Sequence, residues 1–586
     1  MDRRFLLAVG LMILVLVLNS FLFGKKTAPP PTTPADTTSV APETAAPAPA
    51  PPAGADSGLA GASALRRGAE GAPGVPSPSG VLRNVSAPAA GTAETVQIAT
   101  TYVDAEFDPL GGSLRSWRLH SYTGPQGEPA DLVRHGRDLG ALWFALHIGG
   151  RVVRTDSTLF QTSVSDENGA KVIRFTAEDA SGLRIEKTFS VPRDRYDCGL
   201  AVKVSGVPEG QEAYWEIGWV DGLPLLEKDT RSEAAAISSV ALFGKEYIRT
   251  HAGGGFGCAR GTGGEKNEVH EGTLRWLGVR NRYFLGALIL DSPSERRVLT
   301  GYDGEARSAS ALLLEPLSLE GPTERDYRLY LGPIHYSILD SYGVGLERVQ
   351  DLGPGVLRPF SKLLMKFFEG LNKIVPNYGF EIVILSVLLR FLFYPLTKKS
   401  MHSMKQMQML KPELDRINEK FKNDPKRKQE ETLELYRKNK INPLGGCLPV
   451  LIQLPVLSGL YYVLANAIQL RKEPFVLWIR DLAAPDTVAH LAGFPVNVMP
   501  LIMAATMVWQ QKITPSDPRQ ASLGYIMPIF FTFLFYSTPS GLVLYWTVNN
   551  LMTVLQQIWM NRSAPAVALV GAEEEPRRGQ GRGKRR

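Results

Sequence analysis

The sequence predicts an α-helical polytopic membrane protein of six spans, with a large antiparallel β-sandwich outside the cytoplasm. Long apolar runs lie near the N-terminus and after residue 379, whereas residues 95–335 show short runs in which apolar and polar residues alternate. The 586-residue chain has a formal net charge of +7 and is 44% hydrophobic. Its three cysteines exclude a small disulfide-rich domain. Its 24 Phe, 19 Tyr and 9 Trp argue against disorder throughout.

The first apolar run extends from Phe5 to Phe23 without a charge and is flanked by basic residues. At 1.5 Å per residue it just crosses a hydrocarbon core of about 30 Å. We interpret residues 1–26 as a transmembrane anchor. A cleavable signal peptide is the alternative, although the run is long for one and no A-x-A site follows. Residues 27–94 are rich in Pro and Ala and predict a flexible linker.

Residues 95–340 predict the β-sandwich domain, because period-two alternation is punctuated there by Gly, Pro, Asn and Asp. The clearest predicted strands are KVIRFTAED (171–179), LRIEKTFSV (183–191), LAVKVSG (200–206) and DYRLYLG (326–332). The domain shows no metal-ligand spacing and no catalytic motif. Cys198 and Cys258 could pair if the domain is exported and their Cα atoms are close.

An amphipathic helix is predicted at residues 354–376, where apolar residues recur at helical spacing and basic residues lie mainly away from them. Such a helix could pack on a soluble domain. We favour a helix lying in the membrane interface, because the next segment, residues 379–397, reads as the second span.

The third to sixth spans are predicted within residues 444–560. Their predicted bounds are Leu444–Asn466, Phe494–Gln511, Leu523–Ser537 and Leu542–Met560. A Pro-Ser-Gly turn separates the last two, since one continuous helix would be too long for a bilayer.

The charge distribution predicts the orientation of the spans. Residues 398–440 carry 13 Lys and Arg and the tail 561–586 carries seven, whereas the loop 467–493 carries three. Basic loops stay in the cytoplasm. We therefore expect both termini and residues 398–441 to be cytoplasmic, with the β-domain on the periplasmic side.

Arg390 is the most unusual residue of the predicted spans, because it lies about 12 residues into the second one. A central arginine costs about 2.5–3.5 kcal/mol on insertion scales. The side chain could snorkel to the interface near Thr397, but that is about 10 Å along a helix axis. Ser386, Tyr394 and Thr397 share its helical face. We therefore favour a water-filled cavity facing Arg390.

The later predicted spans carry uncharged polar residues and no deep acidic residue. This composition argues against a proton relay or an ion-coupled pump. The polar residues are Gln453, Thr506, Gln510, Gln511, Thr532, Thr547, Asn549 and Asn550. Such residues more often join helices. Together with one unpaired cation they indicate a wet groove that attracts anionic or polar peptide segments.

Residues 398–441 predict a two-helix hairpin that breaks at Pro425. It carries 13 basic against 7 acidic residues over positions 398–440. The basic surface could contact lipid headgroups, ribosomal RNA or a nascent chain. The basic tail at 561–586 could do the same.

Four long motifs resemble the YidC/Oxa/Alb family of bacterial membrane protein insertases. They are RFLFYPLTKKS (390–400), NPLGGCLPVLIQLPVLSGLYYVL (442–464), FVLWIRDL (475–482) and PSGLVLYWTVNN (539–550). The β-domain resembles the family's periplasmic domain more faintly, through FDPLGGSL (107–114), NRYFLGALI (281–289) and LYLGP (329–333). The linker is longer and richer in Pro and Ala than is usual for the family.

The resemblance implies a five-helix insertase core and a periplasmic β-supersandwich that is not essential to insertion. The core would form a groove that is open to lipid and cytoplasm but closed toward the outside. Arg390 falls on the family's groove arginine. Gln453 and Gln511 match polar positions, and Tyr545 and Trp546 match aromatic positions, although the aromatic residue at 546 varies in the family. These five residues are the predicted substrate groove.

The resemblance further implies a non-enzymatic insertase and chaperone of the bacterial inner membrane. It would move hydrophobic segments of nascent membrane proteins into the bilayer, alone or with the Sec translocon. Nascent membrane proteins, membrane lipids, the translocon and the ribosome are the expected partners. We expect no small-molecule cofactor, no metal and no specific DNA binding, and the chain has no Walker-type loop.

Two alternative functions come from other classes of protein. One is a secondary transporter of a small anionic solute that uses Arg390 as its binding charge. Such a transporter predicts inverted repeats with paired broken helices, and the sequence shows no such symmetry. The other is a passive assembly factor whose β-domain binds exported proteins.

Overall fold

The computed structural model describes residues 94–133, 142–208, 210–251, 266–304, 306–318, 321–439, 448–513 and 521–563. These residues fall into two compact units, a β-domain that ends at Gln350 and a helical unit that begins at Asp351. The predicted N-terminal anchor, almost all of the predicted linker, the tail beyond residue 563 and Cys258 lie outside the described residues. The proposed pairing of Cys198 with Cys258 therefore stays a prediction.

The β-domain contains seventeen strands among its described residues. In the first half they are β1 (Val96–Ala99), β2 (Val103–Asp108), β3 (Ser113–Thr123), β4 (Pro129–Asp131), β5 (Trp143–Ile148), β6 (Arg151–Arg154), β7 (Gln161–Glu167), β8 (Ala170–Glu178) and β9 (Arg184–Pro192). In the second half they are β10 (Asp197–Ser205), β11 (Ala213–Trp219), β12 (Ser238–Phe243), β13 (Glu246–Thr250), β14 (Lys266–Arg280), β15 (Phe284–Asp303), β16 (Ser308–Pro316) and β17 (Thr323–Pro333). A short helix, α1 (Thr230–Ala234), precedes β12.

The strands form two antiparallel sheets. The small sheet has the order β1-β2-β3-β4. The large sheet of 13 strands has the main path β6-β5-β11-β16-β15-β17-β10-β9-β8-β7, and β14, β12 and β13 branch from β15. Strand β15 pairs with β17 through Phe284–Leu290 and with β16 through Arg297–Asp303. One long strand thus joins both halves of the large sheet.

The two sheets pack face to face around a core of large side chains. Trp117 on β3 is buried and donates to the carbonyl of Leu331 on β17 at 2.8 Å. The rings of Phe107 on β2 and Phe189 on β9 lie 5.0 Å apart. Strands β8, β9, β10 and β17 overlap the four predicted segments, and each of the first three leaves out one terminal residue of its segment. The predicted large antiparallel β-domain is confirmed.

The β-domain continues ten residues beyond the predicted end at residue 340. Helix α2 (Tyr336–Ser341) is followed by a 3₁₀ helix at Leu346–Val349, whose two apolar end residues are buried. The buried guanidinium of Arg280 donates to the carbonyl of Val349. Since Leu346 and Val349 bury their side chains and Arg280 binds this segment, the compact unit extends to Gln350.

The helical unit contains nine helices among its described residues. They are α3 (Arg358–Asn372), α4 (Tyr378–Leu392), α5 (Tyr394–Met409), α6 (Lys411–Lys420), α7 (Pro425–Lys438), α8 (Leu448–Asn466), α9 (Val498–Ile513), α10 (Ala521–Phe535) and α11 (Ser540–Ser563). A two-stranded hairpin, β18 (Thr487–Leu491) and β19 (Phe494–Asn497), precedes α9. Within the described ranges no helix has both the length and the apolarity to span a bilayer alone, but α4 and the start of α5 satisfy both limits as a bent pair.

The second predicted span is two helices rather than one. Helix α4 ends at Leu392, and the axis turns by 58° before α5 continues to Met409. Pro395 explains the bend, because its ring clashes with the carbonyl four residues earlier and it has no N–H to donate. The chain therefore changes direction three residues after Arg390.

Two other predicted elements have different bounds. The interfacial helix is shorter than residues 354–376, since α3 covers Arg358–Asn372. The fourth predicted span began at Phe494, but residues 494–497 form strand β19 and the helix begins at Val498. Helices α10 and α11 are separate, as the predicted Pro-Ser-Gly turn implied, although α11 already begins at Ser540. Within the segment predicted to be cytoplasmic, residues 398–441, the described part comprises most of α5 together with α6 and α7, and α7 begins at Pro425.

Candidate functional site

Helix α4 carries Arg390 and presents two contrasting faces. Asn377 caps its first turn by accepting from the backbone N–H groups of Gly379 and Phe380 at 3.0 and 3.2 Å. One face is buried against the rest of the unit and includes Glu381, Ile382, Leu385, Ser386 and Leu389. The other face exposes Phe380, Ile384, Leu388, Phe391 and Leu392. A helix with this pattern has one side packed in the protein and one exposed apolar side.

Arg390 directs its charged end toward the protein and away from the exposed apolar face. It lies one turn after the buried Ser386, and its Nε and Nη2 atoms are themselves buried. Neither atom has a hydrogen-bond partner among the described residues. A half-buried arginine whose Nε and Nη2 donors are unused can bind an acceptor that enters the site.

Tyr545 on α11 and Gln453 on α8 form the neighbouring part of the site. The Gln453 side-chain amide donates to the Tyr545 hydroxyl. Tyr545 is buried, and it lies close enough to Arg390 for the two side chains to interact electrostatically. Three helices therefore bring a cation, a phenol and an amide together.

Trp546 and Gln511 lie apart from this cluster. The Trp546 ring lies 5.3 Å from Phe531 and 5.4 Å from Phe535, both on α10. Gln511 is half-buried near the end of α9. No hydrogen bond within the described ranges joins it to Arg390, Gln453 or Tyr545. The structure thus brings together three of the five predicted groove residues.

Other polar side chains join helices to one another. Asn550 on α11 donates to Thr506 on α9 at 3.4 Å, and Gln557 donates to the carbonyl of Ile513 at 3.1 Å. These contacts agree with the interpretation of polar residues in the spans as links between helices. Gln557 was not among the predicted polar residues, although its spacing of seven from Asn550 places both on one face of α11.

Asn372 and Glu381 form a second polar pair that sequence analysis missed. The Asn372 amide at the end of α3 donates to Glu381 Oε1 at 2.7 Å. Glu381 is buried, and its Oε2 atom has no partner within the part of the chain that the structure describes. Glu381 lies in the first turn of α4, near one end of the second predicted span. Its neighbour could not be found from spacing, because a turn separates the two helices.

Comparison with known proteins identifies the family. The family description "60Kd inner membrane protein" matches residues 370–566, and "YidC periplasmic domain" matches residues 95–367. A curated membrane protein insertase YidC of Syntrophus aciditrophicus is 33% identical over 96% of this chain and 100% of its own length. The chain belongs to the YidC family of membrane protein insertases. A YidC of Chlorobaculum parvum is 31% identical over 88% of this chain and 92% of its own length.

A solved structure titled as an active YidC insertase with its first transmembrane domain resolved is also similar to the chain. It is 18% identical, covers 80% of this chain and 92% of its own, and has a TM-score of 0.35.

Membership of the YidC family establishes the general activity and location of the chain. It is an inner-membrane protein with a periplasmic domain, and it acts in the insertion of membrane proteins. It is not an enzyme, since insertion moves a polypeptide segment into the membrane without making or breaking covalent bonds.

Proposed function

We propose that the chain inserts hydrophobic segments of nascent proteins through a hydrophilic groove centred on Arg390. The segment enters from the cytoplasmic side. Its polar flank lies briefly beside Arg390, Tyr545 and Gln453, which shortens the apolar barrier for that flank. The apolar part then partitions into lipid, at a gain of about 0.8 kcal/mol per buried methylene.

One observation carries this proposal. The buried Nε and Nη2 atoms of Arg390 have no acceptor among the described residues. A purely structural arginine in a helical unit is expected to satisfy these donors within the protein, because an unsatisfied buried donor costs about 1–3 kcal/mol. A backbone carbonyl or carboxylate of a passing polypeptide would satisfy them for a short time.

Gln511 and Trp546 extend the proposed groove beyond this centre. Trp546 packs with Phe531 and Phe535 into an aromatic surface that suits an apolar helix. Gln511 supplies an uncharged polar group near the end of α9. The incoming segment would thus contact the polar side chains around Arg390 first. It would then contact the aromatic surface around Trp546 before it enters lipid.

The proposed topology has six spans with both termini in the cytoplasm. The surplus of six positive charges in residues 398–440 supports a cytoplasmic hairpin, built by α6 and α7. This basic surface would attract ribosomal RNA or anionic lipid headgroups. We propose that the ribosome and the Sec translocon are partners of the full chain, and that the chain can also act alone.

Reconstituted liposomes test the proposal. The purified chain is placed in vesicles of phosphatidylethanolamine and phosphatidylglycerol, and protease protection measures the insertion of a short single-span substrate. Arg390→Ala should lower insertion about tenfold, and Arg390→Lys should restore part of it, since a lysine keeps the charge without the planar fork. Arg562→Ala removes an exposed arginine of α11 and serves as the matched control.

Two results would contradict the proposal. Undiminished insertion by Arg390→Ala would exclude the groove role of Arg390. Arg390-dependent uptake of a small carboxylate solute, without insertion, would support the transporter alternative. Repeating the assay with and without the Sec translocon separates an insertase that acts alone from an assembly factor that requires the translocon.

A further inference from the structure

The hairpin β18–β19 has an apolar face, and its second strand lies within the fourth predicted span. Its strands pair in antiparallel register, with Leu491 opposite Phe494 and Ala489 opposite Val496. Residues directly opposite each other project to the same side of a sheet. Ala489, Leu491, Phe494 and Val496 therefore share one face. The opposite face carries His490, which pairs with Pro495.

The turn of the hairpin holds this register. Ala492 and Gly493 are its two central residues, and both have positive φ, at 50° and 83°. Two-residue turns of this kind match the twist of paired strands. An alanine in this conformation is strained, so the turn is imposed by the pairing of the strands.

The tip of the hairpin is strongly exposed. Leu491 is 74% exposed and Phe494 is 77% exposed. A third apolar residue in the same connection, Leu477, is 86% exposed and has a φ of 58°. A leucine with positive φ is strained, and its exposed side chain gains no packing in return. Within the described residues, these side chains therefore contribute little to the protein's own core.

The base of the hairpin is fixed at one end of the helical unit. Asp486 accepts from the backbone N–H groups of Val498 and Met499 at 3.1 and 2.7 Å, at the start of α9. Asn497 donates to the carbonyl of Tyr536 at 2.5 Å, just after α10 ends. The hairpin is thus held where α9 begins and α10 ends.

The start of α4 lies at the same end of the unit. Asn377, which caps α4, donates to the carbonyl of Pro474 at 3.3 Å. The rings of Phe380 and Phe475 lie 5.1 Å apart. The connection that carries Leu477 therefore contacts the first turn of a helix whose free face is apolar.

We propose that this hairpin binds the membrane interface, with Leu491 and Phe494 placed at the boundary between lipid headgroups and acyl chains. Lipid is the occupant because the hairpin is fixed to the ends of helices in an inner-membrane protein. A two-stranded hairpin has unpaired N–H and C=O groups at both edges, so it is excluded from the hydrocarbon centre. At the interface those groups reach water while one face stays apolar.

A positive charge near Leu477 supports a phospholipid surface as the binding partner. Arg480 is exposed and follows Leu477 by three residues. A cation beside apolar side chains binds anionic headgroups while the apolar groups enter the bilayer. This inference rests on the membrane location of the family and is independent of the proposed role of Arg390.

Fluorescent labels on the full chain in lipid nanodiscs test the inference. Leu491→Cys and His490→Cys are made separately in a background with Cys258→Ser and Cys447→Ser, while the buried Cys198 is retained. Each is labelled with an environment-sensitive dye. The nanodiscs contain phosphatidylethanolamine and phosphatidylglycerol, with a nitroxide-labelled lipid as the quencher in lipid and iodide as the quencher in water.

The two neighbouring positions should behave oppositely. The label at 491 should be quenched about threefold more by the nitroxide lipid than the label at 490, and iodide should show the reverse order. Glu430→Cys on the exposed surface of α7 gives the aqueous reference. Phe494→Cys should reproduce the result at 491 if the hairpin is intact.

The inference is overturned if the labels at 490 and 491 are quenched equally by the nitroxide lipid. It is also overturned if the label at 491 matches the aqueous reference at 430. Because insertion activity is not the readout, failure of this inference is distinct from failure of the groove proposal.

Discussion

Arg390 lies in the last turn of α4, where the helix itself favours a positive charge. The final carbonyls of a helix have no intrahelical donors and carry partial negative charge. The resulting stabilisation of a cation is roughly 0.3–1 kcal/mol, which is less than the cost of burying a guanidinium. The charge at position 390 is therefore only partly compensated by its own helix, and an approaching acceptor is favoured.

Tyr545 is predicted to stabilise the site through its hydroxyl. In Tyr545→Phe the Gln453 amide loses its acceptor, and a buried unsatisfied polar group costs about 1–3 kcal/mol. We expect a lower unfolding temperature in detergent and a smaller loss of insertion than in Arg390→Ala. Tyr394→Phe is the matched control, since the Tyr394 ring contacts Trp559 and its hydroxyl makes no hydrogen bond within the described residues. Equal stability of the two variants would contradict this prediction.

Lys187 in the β-domain is predicted to make stability depend on pH. Its side chain is buried on β9 and donates to the carbonyl of Gly111 at 2.8 Å and to Thr155 Oγ1 at 3.1 Å. Burial lowers the pKa of Lys187 to about 7 from 10.5. Below pH 7 the amine is charged in both folded and unfolded chains, and the full desolvation cost opposes folding.

Stability should therefore rise as the pH increases from about 7 toward 10.5, because only the unfolded chain keeps the proton there. The slope is about 1.4 kcal/mol per pH unit at most. Thermal unfolding of wild type and Lys187→Met between pH 6 and 9 measures this pH dependence. The unfolding temperature of wild type should rise relative to that of Lys187→Met as the pH increases. The exposed Lys203→Met is the control. A difference that stays constant with pH would exclude a buried lysine of low pKa.

At the scale of elements, the cap of α7 determines how well the helical hairpin of α6 and α7 is ordered. Asp424 accepts from the backbone N–H of Arg427 at 3.1 Å, and Pro425 opens the helix. Asp424→Ala should cost about 1 kcal/mol and speed hydrogen exchange in the first turn of α7 about fivefold. Glu430→Ala removes an exposed acid without a capping role and should leave exchange nearly unchanged. If both variants exchange alike, the cap is not stabilising.

The sequence predicts those elements whose signals are local. Alternation located strands β8, β9, β10 and β17, and Pro425 located the start of α7. The fourth predicted span was extended too far, because Phe494–Val496 is apolar and continuous with the helix that follows. Only the pairing with β18 reveals that these residues form a strand.

The candidate site was predictable only where its residues give a local signal in the sequence. Arg390 is conspicuous because a charge interrupts an apolar run. The contact between Gln453 and Tyr545 joins residues 92 apart, so no local pattern indicates it. Pro395 is a local signal for the bend. The sequence analysis nevertheless predicted one straight span, because the apolar run continues past this proline.

At the scale of the molecule, the β-domain is predicted to fold as an independent unit. Its core, including Trp117, Trp215 and Trp276, is buried within residues 94–350. A fragment of these residues should unfold cooperatively. A fragment that ends at residue 340 should unfold at lower temperature, because it lacks Leu346 and Val349 and the contact of Arg280 with Val349. Circular dichroism of both fragments measures the difference, and identical melting would contradict the extended boundary.

The pairing of β14 with β15 also restricts which residues the domain tolerates at two glycine positions. A Cβ atom at Gly286 would lie 3.0 Å from the Trp219 ring, and one at Gly278 on β14 would lie 2.1 Å from the carbonyl oxygen of Gly286. The second obstacle is backbone and cannot rotate away. A saturation library of the domain screened for soluble expression should therefore recover almost only glycine at 278. Strands β14 and β15 approach this closely only because position 278 carries no side chain.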